Sequence, residues 1–180
     1  MQEALKLENY SYEDYVDIDK STKERVELIF GKIYMMAGAS ASHQDVVLNL
    51  AFIFKTITKS KEKCLPRVAP FDLKLIIDAK TSVVQPDVML FCNSELPCAV
   101  FEVLSPSTAY KDKGIKKDLY EASGISEYFL VNIEYKLVDK FELVEGKYLY
   151  AGVYGIDDKM SVSCLDETIA VGEVFEGVID

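Results

Sequence analysis

Two carboxylates sit where apolar strands are expected. Asp87 lies within Val83-Val84-Gln85-Pro86-Asp87-Val88-Met89-Leu90-Phe91-Cys92, and Glu102 within Cys98-Ala99-Val100-Phe101-Glu102-Val103-Leu104. An acid in such a setting is costly unless something compensates it. Only Asn93-Ser94-Glu95-Leu96-Pro97 separates the runs, and so short a connection favours an antiparallel pair. Acids on facing strand positions suit a shared hard cation, Mg2+ or Mn2+, with the Val103 carbonyl as a third oxygen. Mg2+ keeps several waters, so few protein ligands suffice. Lysines or backbone donors can satisfy the same two acids, and spacing leaves both readings open. Pro86 removes a ladder donor and marks an edge or a bulge, where a side chain is often re-aimed.

Other elements must bring partners to these acids. Ala37–Ser42 is a loop of small residues, and Ser40 or Ser42 caps a helix. In that helix His43, Val47, Leu50, Phe54 and Ile57 share the inward face. Lys55, Lys59, Lys61, Lys63 and Arg67 trail from its end as a solvated basic stretch. Phe71–Ile77 reads as a strand and Asp78–Thr81 as a turn. Thr108–Gly124 is predicted as one helix, capped by Ser107 or Thr108 and stopped by Gly124. Ile115, Leu119 and Ala122 form its buried stripe. Asp112 and Lys116 lie four apart along one edge, and Lys113 and Lys117 point more directly to solvent. Glu127–Ile133 is an apolar strand, and its place after a helix predicts a crossover that packs the helix on the sheet.

Toward the start, Tyr10–Val16 reads as a short helix with Ser11 as cap, followed by a loop over Asp19–Lys23. Arg25–Phe30 and Ile33–Met36 form a hairpin turning at Gly31-Lys32, with Glu27 and Ile29 on one face. Toward the end, Leu137–Val144 and Tyr148–Tyr154 form a hairpin around Glu145-Gly146, and an acidic tail follows from Asp157. The order of elements predicts an α+β fold in one domain spanning residues 1–180. Its core covers about 40–135, an N-terminal helix and hairpin 10–36, and C-terminal strands 136–180. There is no internal repeat.

The bulk composition agrees with a folded chain. It has 180 residues, 49% of them hydrophobic, with eleven Tyr and nine Phe, enough for a sizeable core. The formal net charge is −10, which argues against broad, sequence-independent nucleic-acid binding. The charge is uneven, however: residues 111–117 hold four Lys and one Asp. The first six residues have neither a basic nor an apolar leader region, and no apolar run nears the roughly 20 residues of a membrane helix. None of Cys64, Cys92, Cys98 and Cys164 forms a C-x-x-C pair, which argues against a zinc site. Cys92 and Cys98 read as small buried apolar residues, and a reducing cytoplasm is the expected location.

Gln85-Pro86-Asp87-Val88, then Glu102-Val103-Leu104-Ser105-Pro106-Ser107-Thr108, then Asp112-x-x-x-Lys116-x-x-x-Tyr120 resembles the Uma-type endonuclease family of the PD-(D/E)XK, or restriction-endonuclease-like, superfamily. The likeness runs from about Tyr12 to Leu143 and includes Glu27–Ile33 and His43. It implies a restriction-endonuclease-like core, a central mixed β-sheet flanked by helices with added hairpins. It also implies Mg2+-dependent cleavage of DNA, with Asp87 and Glu102 on the metal. The superfamily places a lysine two residues after the strand acid, where this chain has Leu104. Lys116 is the candidate replacement, against a simpler role as an i,i+4 partner of Asp112. His43 and, more distantly, Glu27 join the catalytic candidates. Lys113, Lys117, Ser105 and Ser107 are candidates for contact with the DNA. The likeness also raises a homodimer that cuts both strands. Two rival classes stay open: a non-catalytic nucleic-acid-binding or assembly module that retains the fold, and a metal-free hydrolase using the paired carboxylates on sugars.

Overall fold

The computed structural model describes residues 9–61 and 64–179. The first six residues, on which the reading of a missing leader rested, lie outside them, as does Lys63 of the basic stretch. In chain order the elements are α1 (Tyr12–Ser21), β1 (Val26–Ile29), β2 (Lys32–Met35), α2 (Ala41–Thr58), β3 (Cys64–Val68), β4 (Leu73–Ile77), β5 (Lys80–Val84), β6 (Val88–Cys92) and β7 (Ala99–Leu104). A helical segment comes next, built from α3 (Ala109–Lys111), a π-helical turn (Asp112–Lys116) and α4 (Lys117–Ala122). Then come β8 (Glu127–Asn132), β9 (Leu137–Val144), β10 (Lys147–Tyr154), β11 (Lys159–Val162), a 3-10 turn (Ser163–Leu165), β12 (Glu167–Ala170) and α5 (Val171–Val174).

The chain forms two compact units. The first comprises residues up to 38 and residues 72–85. Its sheet has the order β2-β1-β5-β4, with every neighbouring pair antiparallel. Tyr15, Val26, Leu28 and Val83 form its apolar centre. Ser11 caps α1 with a full capping box, its hydroxyl accepting from the Asp14 amide while Asp14 accepts from the Ser11 amide. At its other end α1 runs on to Ser21, through part of the stretch expected as a loop, and closes with the Thr22 amide donating to the Ile18 carbonyl. Gly31 turns the β1–β2 hairpin with φ +77°, and an added Cβ there would meet the Asn9 backbone at 3.0 Å.

The second unit, residues 39–71 and 86–180, contains a six-stranded sheet of order β10-β9-β8-β7-β6-β3 and a two-stranded ribbon, β11-β12. Among the described strands only β7 and β8 run parallel, joined by the helical crossover the sequence predicts. Alternation in β7 decides which layer each side chain enters. Ala99, Phe101 and Val103 join Val46, Leu50 and Phe54 of α2 in the main core, where Phe101 stacks on Phe129 at 4.2 Å between centroids. Glu102 falls on the opposite face, toward the helical segment. The acidic tail is structured: Met160, Val162, Ile169, Val171 and Val174 are buried in the same core as α2, and the Asn49 side chain donates to the carbonyls of Val174 and Glu176.

Several sequence expectations need correction. The run Val83–Cys92 is not one strand. It breaks at Gln85-Pro86-Asp87, leaving β5 in the first unit's sheet and β6 in the second's. Pro86 cannot donate to a ladder, and both flanking pieces are apolar enough to pass for one strand. Residues 64–68, expected as the end of a solvated stretch, form the edge strand β3, where Pro66 is tolerated opposite Leu90. The helix over Thr108–Gly124 is interrupted by the π-helical turn. A wider turn rotates the residues before it relative to those after it, so Lys111, Asp112, Lys116, Leu119 and Tyr120 are the buried residues. Ile115 is half-buried and Ala122 exposed. The stop at Gly124 holds: the Gly124 amide donates to Glu121 and the Ile125 amide to Tyr120, a Schellman closure with Gly124 at φ +81°. Cys92 and Cys98 are not free thiols. Cys64, which β3 sets directly opposite Cys92, is disulfide-bonded to it, and Cys98 is bonded to Cys164.

Candidate active site

The end of the β6–β7 ladder creates the site. Their pairing stops at Val88 opposite Phe101, so the Val103 backbone reaches past the start of β6. Asp87, just ahead of that strand, takes over: its Oδ2 accepts the Val103 N–H at 2.7 Å. The same oxygen lies 3.2 Å from Nε2 of His43 on the first turn of α2. Ser40 orients that turn by capping it, accepting from the His43 amide. Burial works against charge on His43. The hydrogen bond and the charge of Asp87 outweigh it, helped by the Val103 backbone and by Asp112, so its pKa is raised. His43 Nδ1 is buried with no hydrogen-bond partner, and Asp87 Oδ1 makes no hydrogen bond among the described residues.

Glu102 is only 2% exposed. Its Oε1 accepts from the Lys116 ammonium at 3.0 Å and from the Tyr120 hydroxyl at 2.6 Å. Lys116 also stands 3.7 Å from Asp112 Oδ1, one turn back. Lys116 thus pairs within its helix and also reaches the strand acid. The arrangement depends on the π-helical turn, which ends at Lys116, and on Tyr128, whose hydroxyl donates to the Asp112 carbonyl at 2.8 Å. Burial, then the charges of Glu102 and Asp112, push the Tyr128 pKa far up, so that hydroxyl keeps its proton.

Asp87, Glu102, Val103, His43 and Lys116 thus belong to one neighbourhood of the second unit. Ser105 Oγ bonds to the hydroxyls of Ser107 and Thr108 where β7 passes into α3. Lys113 is exposed, whereas the Lys117 ammonium sits over the Phe141 ring, 4.1 Å from its centroid. Glu27 belongs to the first unit, where its Oε1 accepts the Gln85 N–H at 3.0 Å. Asp72 of that unit accepts from the Gln85 side chain at 2.8 Å. The sequence marked Asp112 as a partner of Lys116 and placed Tyr120 in the same four-residue spacing, but it gave no hint that the Tyr120 hydroxyl reaches Glu102.

Comparison with known proteins gives this geometry a family. A family model described as "Putative restriction endonuclease", Uma2, matches residues 12–171. The uncharacterized protein slr1290 of Synechocystis sp. is 28% identical over 181 residues, covering 93% of this chain and 92% of its own. A second Synechocystis protein, sll1609, is 29% identical over 131 residues, covering 66% of this chain and 72% of its own. Among solved structures, a crystal structure titled as a putative nuclease belonging to DUF820, from Anabaena variabilis, superimposes with TM-score 0.71 at 14% identity. It covers 88% of this chain and 93% of that one, and so shares the fold. The chain belongs to the Uma2 putative restriction endonuclease family.

Proposed function

We propose that this chain is a cytoplasmic, Mg2+- or Mn2+-dependent DNA endonuclease that hydrolyses phosphodiester bonds. The observation that carries the reading is Lys116, whose ammonium arrives from a helix at 3.0 Å from Glu102. It stands in for the strand lysine that Leu104 replaces. The donor set suits a hard cation: carboxylates of Asp87 and Glu102 with the Val103 carbonyl are oxygen ligands of the kind Mg2+ prefers. The unbonded Asp87 Oδ1 and orphaned His43 Nδ1 fit a site that takes a further group. A bound Mg2+ supplies a lowered pKa for its water and charge stabilisation for the phosphoryl oxygens.

The protein's own groups do the rest. Lys116 directs donors at the attacking water and offsets the negative charge gathered by Asp87, Glu102 and Asp112. His43 holds Asp87 in place and carries a proton at Nε2. Exposed Lys113, with Ser105 and Ser107, contacts the DNA backbone, and Lys117 reaches it from above Phe141. Two copies pair to cut both strands. That part of the reading is supported by Leu149, Tyr150 and Val153, exposed on the edge strand β10.

The test is cleavage of supercoiled and single-stranded DNA with Mg2+ or Mn2+. Wild type should nick or linearise DNA, and Asp87→Ala, Glu102→Ala and Lys116→Ala should not. Three variants cutting as well as wild type would sink the assignment. Leu104 also favours a second reading, a nucleic-acid-binding module without catalysis. Calorimetry showing no Mg2+ or Mn2+ binding at millimolar concentration selects that one.

A further inference from the structure

All four cysteines of the chain meet at one place in the second unit. They come from separate elements: Cys64 opens β3, Cys92 closes β6, Cys98 precedes β7 and Cys164 lies in the 3-10 turn after β11. The Sγ atoms of Cys92, Cys98 and Cys164 all lie within 4.8 Å of one another, and Cys64 is bonded to Cys92. A disulfide needs only its own two sulfurs close, and two clips serve a fold equally well far apart. Convergence of both pairs is an extra feature that clipping does not require. It is what a thiolate metal site requires. Zn–S bonds are about 2.3 Å, which sets the sulfurs of a tetrahedral site about 3.8 Å apart, inside the spread seen for the three.

We propose that in the reduced protein these cysteines form a thiolate site for a soft divalent cation, Zn2+, remote in role from the carboxylate site. The proposal rests on the reducing compartment named above. Each disulfide takes two electrons and yields two thiols: a dithiol reductant supplies the electrons and both protons and becomes a disulfide, whereas a phosphine supplies the electrons and becomes its oxide, one water giving that oxygen and the two protons. Binding then releases the thiol protons. Cys92, Cys98 and Cys164 supply three ligands, and Cys64 swings from Cys92 to complete the fourth. Thiolate softness selects zinc over the Mg2+ that the oxygen-rich site takes. The three sulfurs other than Cys64 are half-buried, so a reductant and a metal have access. The bound ion ties the turn at Cys164 to the β6–β7 hairpin, the connection the Cys98–Cys164 bond makes in the oxidised chain.

The full-length protein is reduced anaerobically with a phosphine, the reductant removed, and Co2+ titrated in as an optical stand-in for Zn2+. The expected result is thiolate-to-metal charge transfer with intense visible bands, saturating at one ion per chain and displaced by Zn2+. Zn2+ also raises the thermal unfolding temperature. Cys98→Ser and Cys164→Ser abolish the signal, and Cys164→His keeps it with shifted bands. Asp87→Ala leaves it unchanged, which separates this site from the proposed nuclease centre. Circular dichroism confirms that each variant folds. Reduced, folded protein giving no charge-transfer band overturns the proposal. So does a band that survives Cys98→Ser and Cys164→Ser, or a thiol count that stays at zero after reductant.

Discussion

Glu102 accepts two donors on a single oxygen, and both come from the same helical face. Breaking a buried ion pair by removing one partner leaves the other poorly compensated, at a cost of about 3 kcal/mol. Lys116→Ala should therefore lose both DNA cleavage and roughly that much stability by urea denaturation. Tyr120→Phe keeps the lysine and should cost about 1.5 kcal/mol, the worth of one hydrogen bond to a charged group, while retaining measurable cleavage. His43 makes stability depend on pH. Its folded pKa is raised above the ordinary 6.5 by Asp87, against the pull of burial, with the Val103 backbone and Asp112 assisting. That contribution is full below 6.5 and is lost as pH rises through the folded value. With a chelator present, the urea midpoint of wild type should fall over that interval. In His43→Gln the fall should be absent, and an equal fall in the variant would exclude His43 as its source. Asp87 and Glu102 stand out in the sequence because each interrupts an apolar run, and His43 because it heads the inward face of α2. Glu27 interrupts its strand just as plainly, and its carboxylate accepts the Gln85 amide within the first unit, a partner that nothing in the sequence marks.

Among the elements, those with strong local signals were readable from the chain. α2 shows a helical apolar period, and the β9–β10 turn has Glu145-Gly146, both at positive φ as a two-residue hairpin turn demands. Gly124 ends α4 for the same conformational reason. Four elements lacked such signals. β3 is largely exposed, proline-bearing and at an edge. β5 and β6 share an apolar vocabulary that hides the break between them. The π-helical turn has no composition of its own, and without it the buried face of this helix cannot be deduced. Glycine substitutions separate backbone strain from crowding. At Gly124 an added Cβ meets nothing within 4 Å, so Gly124→Ala should cost only the left-handed backbone penalty, about 1 kcal/mol. Gly31→Ala adds the approach to Asn9 at 3.0 Å and should cost clearly more in the same denaturation assay. Equal losses would mean that the Asn9 contact relaxes freely.

For the molecule as a whole, the C-terminal stretch is part of the core. Glu127 accepts the amides of Ser163 and Cys164 and pairs with Lys140, itself only 1% exposed and bonded to Ser161 and Ser163. Lys140→Ala leaves Glu127 buried beside an empty place and should cost about 3 kcal/mol. Hydrogen exchange should show residues 159–178 opening first in that variant, and uniform exchange across the chain would contradict the fastening role. The route of the chain has a consequence for its birth. β1 pairs with β5 at Leu28 opposite Val83, and between them the polypeptide lays down α2 and β3 of the other unit. A nascent chain leaving the ribosome can close its first hairpin at once, but must hold the outer edge of β1 unpaired until β5 emerges. The helix bearing His43 is thus translated while the first sheet is still incomplete.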